Sequence, residues 1–137
     1  MPSFGQNHEQ GKDLILYELA VFLEHATDVL TSGVPTAEQL SWAPKEAAAQ
    51  RYLDGVANPD DMAILEGEAS ETGETLDELA TAILRKAAGN RLAVSKLSGL
   101  RRATEAAITA ANSREAAQEA LDAAKARWYT FLTQLGA

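Results

Sequence analysis

The sequence contains no cysteine. That single absence excludes structural disulfides, zinc–thiolate and iron–sulfur ligation, and thiol catalysis together. Aromatic residues make up only 6% of the chain. No segment alternates apolar and polar residues with the Val, Ile, Thr and aromatic content of a strand, so a sheet is excluded as the main architecture. No apolar run approaches the roughly 20 residues that a membrane-spanning helix needs, and Met1 to Lys12 is polar where a secretory leader has an apolar centre. A soluble protein made in a cytoplasm is expected. Positive charge is scarce too: 12 Lys and Arg stand against 20 Asp and Glu, a formal net charge of −8. Proteins that bind duplex nucleic acid neutralise phosphates with a net-basic surface, so nucleic acid is not an expected partner.

Catalytic groupings are missing as well. The glycines are isolated and lack phosphate-loop spacing. No Ser or Thr stands with a His and a carboxylate on an exposed turn. Glu24, His25 and Asp28 form the one grouping at helical spacing that could start a metal site, with His25 and Asp28 on one face, but a four-ligand site needs a second histidine or more carboxylates, and His8 sits in the expected N-terminal arm. Asp60-Asp61 and Asp77-Glu78 sit where helices begin, and capping accounts for them. No enzyme activity, cofactor or metal is expected.

What the chain has is alanine, 27 residues of its 137. Alanine combines the best helix propensity with little bulk, so the composition points to helices packed at close range. A chain of this length buries roughly two-thirds of the surface its unfolded form exposes, enough for a core without metals or crosslinks. The expected fold is all-α: a bundle of about five helices, with one long central helix and a long C-terminal helix.

Residues 1–11 hold Pro2, Gly5 and Gly11 with one large apolar side chain, Phe4, and read as a flexible arm ahead of a single helical domain over 12–137. Helix one runs from about Asp13 to about Leu30 on the stripe Ile15, Leu19, Phe22, Ala26 and Val29, widened by Leu14, Leu23 and Leu30. Gly33 and Pro35 end it, and Thr36 with Gln39 has the form of a capping box. The main second helix starts near Ser41 or Ala43, because Pro44 is tolerated only in a first turn. Its stripe is Trp42, Ala49, Tyr52 or Leu53, and Val56. Asn58-Pro59-Asp60-Asp61 reads as cap, first helical residue and two carboxylates at the positive end of the helix dipole. Helix three carries Met62, Leu65 and Ala69 and stops before Gly73.

Thr75 and Glu78 form a second capping box that opens the longest periodic stretch. Leu76, Ala80, Ile83, Ala87, Asn90, Val94, Leu97, Arg101, Thr104, Ile108 and Ala111 keep a strict 4, 3 spacing, as in a coiled coil. Gly89 and Gly99 within it point to a kink or a close helix contact. The stripe is longer than helices two and three can cover, so part of it is expected to meet another chain or the flanking helices, and a homo-oligomer is one reading. Asn112 with Glu115 offers a third cap for a last helix on Ala117, Leu121, Ala124, Trp128, Phe131 or Leu132, and Leu135. Trp42, Tyr52, Trp128 and Phe131 are expected in the core, and Tyr129 at a surface or interface.

Charge is segregated. Asp54 to Glu78 holds nine acids and no base, whereas Arg85 to Arg102 holds Arg85, Lys86, Arg91, Lys96, Arg101 and Arg102 and no acid. Intramolecular pairing or solvated faces are one explanation. The other is a basic docking face, and those six residues with Tyr129 are the candidate partner-binding set.

The middle of the chain, residues 34 to 112, resembles a group of small helical proteins from the tail modules of tailed bacteriophages and prophages. The resemblance lies in Trp42, Lys45, Ala48 and Tyr52-Leu53 of SWAPKEAAAQRYLDG. It continues in Gly73, Leu79 and Ile83 of GETLDELATAILRKA, and in Leu100-Arg101-Arg102 with Ile108 of GLRRATEAAITAA. It implies a non-enzymatic protein of tail or tail-fibre assembly, a virion component or a helper in the host cytoplasm, with other tail, baseplate or fibre proteins as partners. The long first and last helices lie outside the matched region. An alternative is a cytoplasmic helical adaptor or regulator that docks an acidic partner through 85–102.

Overall fold

The computed structural model describes residues 4–32 and 34–135, with the side chains of 4–10 and 36 outside the description. It is all-helical: α1 Phe4–Thr31, α2 Thr36–Leu40, α3 Trp42–Leu53, α4 Pro59–Thr72, α5 Leu76–Ala110 and α6 Arg114–Gln134. Packing divides these helices into two units. The first takes residues up to Leu30 together with Ala93 onward; the second is Thr31–Leu92. α5 contributes residues to both units.

Residues 4–11, expected as part of an arm, are helical; Met1 to Ser3 lie outside the described residues. Gly11 is buried, and a Cβ placed on it would lie 3.0 Å from Cδ of Arg114. The glycine admits the aliphatic stem of the first residue of α6, a contact made across the chain and invisible to local composition. One residue on, Lys12 is buried and its Nζ donates to the carbonyl of Thr109 at 2.9 Å. An ammonium at the last turn of α5 complements the carbonyl end of that helix.

In the first unit Ile15 and Leu19 of α1 pack with Ile108 of α5 and with Ala117 and Leu121 of α6. Phe22 and Ala26 pack with Ala93, Leu97 and Leu100, and with Ala124 and Trp128. The pairing order makes α5 antiparallel to both α1 and α6. Trp128 stacks on Phe131 with ring centroids 5.5 Å apart.

In the second unit Ala48 and Ala49 of α3, Leu65 and Ala69 of α4, and Leu79 and Ala80 of α5 form the core, with Tyr52, Leu76, Ile83 and Leu84 packed around it. Four of those six are alanines, so the backbones approach closely. On α3 the inward residue is Tyr52; Leu53 and Val56 are exposed.

Among the described residues the helices number six because Thr36–Leu40 is a helix of its own. Pro44 lacks an amide hydrogen and clashes with a carbonyl four residues back, so no helix can continue through residue 40. The chain turns at Ser41, whose hydroxyl and amide both donate to the Glu38 carbonyl. The expected capping box at Thr36 falls on a side chain outside the described ones; Pro35 stands at the cap position, and Gln39 Nε2 donates to the Val34 carbonyl. The signals that open α4 and α5 hold. Asn58 accepts from the Asp61 amide while Asp61 accepts from the Asn58 amide, with Pro59 as first helical residue, and Thr75 exchanges bonds with Glu78. For α6 the cap is Ser113, which accepts from the Ala116 amide, and not Asn112. Gly55 and Gly73 both take φ +79 after helix ends. After α3 the amide of Val56 donates to Arg51 and that of Gly55 to Tyr52, the paired bonds of a Schellman turn, which favours glycine at the left-handed position.

The strict 4, 3 stripe along α5 is not the buried seam throughout. Val94 and Arg101 are exposed, and Ala93 and Leu100 take their places before the seam returns at Thr104 and Ile108. The change comes where α5 passes from the second unit, in which α3 and α4 cover it, into the first, in which α1 and α6 do, so different partners select the inward residues. Gly89 and Gly99 have no other atom within 4 Å of a Cβ position, so neither marks a close contact.

Candidate protein-contact surfaces

The acidic block is partly spent inside the second unit. Asp61, itself buried, accepts from Arg51 through both oxygens, each at 2.7 Å. That guanidinium, together with the Asn58 amide, holds the Asp61 carboxyl at about 2, well below the ordinary value, and Asp61 in turn raises the pKa of Arg51. Lys45 pairs with Glu68 at 2.8 Å. Tyr52 donates its hydroxyl to Asp77 at 2.7 Å, and that hydrogen bond raises the phenol's pKa. These contacts tie α3 to the start of α4 through Asp61, to its later turns through Glu68, and to the start of α5 through Asp77. They account for Asp61, Glu68 and Asp77 as structural groups, as the bonds with Thr75 do for Glu78.

The six expected partner-binding bases are dispersed. Arg85 and Lys86 are exposed on α5 in the second unit, where Arg91 pairs with Glu46 of α3. Arg101 and Arg102 are exposed in the first unit, and Lys96 is half-buried with its Nζ 5.8 Å from the centre of the Phe131 ring. Among the described residues, none of the six pairs with the acidic block. With 3.6 residues per turn, Arg91 and Arg102 share one side of α5, Arg85 and Lys96 another, and Lys86 and Arg101 lie on neither. The helix therefore presents the bases around its circumference, and no single face collects them. Tyr129 is 57% exposed as expected, with its ring edge against Phe22 at 6.3 Å.

An open pocket of about 240 Å³ lies between α5 and α6, lined by Lys96, Ala126, Arg127, Thr130, Phe131 and Gln134. Two cations and no carboxylate or imidazole line it, so it has no acid–base pair. Among the described residues no three His, Asp or Glu side chains are placed to hold a metal ion, and His25 is exposed. No described helix is long and apolar enough to cross a membrane. The α5 seam is covered within the chain, by α3 and α4 along one part and by α1 and α6 along the other, so its length calls for no second chain.

A different surface stands out. Leu14, Tyr17 and Val21 are 56%, 68% and 47% exposed. Their spacing of 3 and 4 sets them on one side of α1, across from Ile15, Leu19, Phe22 and Ala26. Leu14, expected to widen the core stripe, belongs to this outer stripe instead; Leu23 and Leu30 do border the core. The signal was present in the sequence as a second 3, 4 pattern, but α1 is apolar on both sides and periodicity does not say which side turns inward.

Set against protein-family models, curated proteins and solved structures, the chain matches none.

Proposed function

We propose that this chain is a non-enzymatic protein that acts by contact through its helix faces, and that it serves the assembly of a bacteriophage tail, bound to or assisting a fibre or baseplate subunit. The observation that carries the contact reading is the outer stripe of α1. Solvent-facing sides of bundle helices are ordinarily polar, and single exposed apolar residues need no explanation, but three large ones on successive turns form the kind of patch that marks an interaction site. The tail assignment rests on the resemblance of residues 34 to 112, which belong to α2–α5 and lie outside the stripe itself.

Co-expression of the tagged chain with each fibre and baseplate subunit encoded near it, followed by affinity capture, tests the proposal. Recovery of one subunit in a fixed ratio is the expected result. Capture of none of them, with the chain folded by circular dichroism, removes the tail assignment.

A further inference from the structure

We propose that the outer face of α1 is a docking site for a basic amphipathic helix of a partner protein. The inference rests on the contact reading above and names the partner class for that surface. Leu14, Tyr17 and Val21 rise about 10 Å along α1. That is the two-turn reach over which a docked helix presents anchors at i, i+3 or i+4, and i+7. Ile15, Leu19, Phe22 and Ala26 already fill the inward side, so the outer three make no contribution to the core that would explain their size. Tyr17 is the most exposed of them, and tyrosine is a residue type that interfaces favour.

The rim decides the occupant. Asp13, Glu18 and Glu24 are exposed beside the stripe, and none forms an ion pair among the described residues. By helical spacing Glu18 lies along one edge, and Asp13 and Glu24 lie along the other. Between residues 13 and 28 the sequence has no Lys or Arg, and His25 is the one residue there able to become cationic. A second copy meeting this face with its own would set carboxylates against carboxylates, and anionic lipid headgroups would meet the same repulsion. A helix with apolar anchors flanked by Lys or Arg matches both the stripe and its edges.

The test titrates the isotope-labelled full chain with three peptide probes of about four helical turns. One is an amphipathic Leu/Lys helix, the second its Leu/Glu counterpart, and the third a Gln/Lys peptide of the same charge without leucine. The Leu/Lys peptide is expected to shift the NMR signals of Leu14, Tyr17 and Val21 and to weaken with salt; the other two bind at least about tenfold more weakly. Tyr17→Ser with Val21→Ser, both at exposed positions, lowers affinity for the Leu/Lys peptide about tenfold or more with helicity unchanged. Glu18→Lys with Glu24→Lys weakens binding and flattens its salt dependence. Equal binding of the Leu/Glu peptide overturns the proposal. So do shifts confined to Asp54–Glu78, unchanged affinity of the double-serine variant, and a dimer in sedimentation that buries the same signals. The two readings fail separately. Capture of a tail subunit by the double-serine variant as well as by the wild type leaves the contact function and removes this face. Peptide docking without capture of any tail subunit leaves the face and removes the tail assignment.

Discussion

Leu65→Ala tests the packing logic of the second unit most directly. Leu65 is completely buried among Ala48, Ala49, Ala69, Leu79 and Ala80. Truncation removes three carbon atoms from that site, about 2.4 kcal/mol at roughly 0.8 kcal/mol per buried methylene. To this is added the cavity left behind, whose cost depends on how far the surroundings can relax into it. Here they are mostly methyl groups on helical backbone, which have no rotamer to reorient, so relaxation is small and a total of about 3–4 kcal/mol is expected. A unit of about 60 residues has roughly 3–9 kcal/mol of stability in all, so the loss is a large share of it. Urea titration read by hydrogen exchange and mass spectrometry reports the unit on its own: peptides from α3 and α4 should lose protection at much lower urea, while wild-type peptides from the same helices serve as the reference. A loss under about 1 kcal/mol would refute the reasoning, since it would mean that the site collapses or that Leu65 is not packed as described.

Glycine substitutions should split by backbone conformation. Gly99→Ala, with no atom near its Cβ position, is expected to raise stability by up to about 1 kcal/mol, whereas Gly73→Ala, at φ +79, should lower it by about 1–2 kcal/mol; thermal melts compare them. Thr104 is buried and its hydroxyl has no hydrogen-bond partner among the described residues, so Thr104→Val should stabilise the first unit by about 1 kcal/mol, seen as a higher urea midpoint. The Asp61 carboxyl titrates at about 2 in the fold against an ordinary value of 3.8. Its stabilising contribution is therefore complete above the ordinary value and lost as pH falls from there toward the folded one. Exchange protection in α3 and α4 should fall across that window in the wild type and more shallowly in Asp61→Asn, and parallel curves would contradict the pairing with Arg51.

Local features were legible in the sequence because their physics is local. The Asn58-Pro59 start of α4, the Thr75 box of α5 and the glycine stops at Gly55 and Gly73 each depend on residues within a turn of one another. The all-helical class followed from alanine content and periodicity, again local quantities. Misjudged features depended on distant partners. Gly11 looks like arm composition until Arg114, about a hundred residues on, is laid against it. The 4, 3 stripe of α5 reads straight through Val94 and Arg101, yet packing against α1 and α6 places Ala93 and Leu100 inward. The basic segment is a cluster along the chain, and wrapping it at 3.6 residues per turn disperses it. The α1 stripe was hidden for the opposite reason: Leu14 was absorbed into a wider core face, and Tyr17 and Val21 were assigned to neither side.

The division of the chain also bears on the order in which it can fold. The second unit is an unbroken run, Thr31–Leu92, whereas the first joins α1 to residues from Ala93 onward. During synthesis the second unit is therefore complete while α1 still lacks both of the helices that cover it. Ile15, Leu19 and Phe22 wait for Leu121 and Trp128, about a hundred residues later, on the order of 5–20 seconds at ordinary elongation rates. Over that interval α1 presents apolar side chains on both of its faces, and they stay uncovered until α6 emerges.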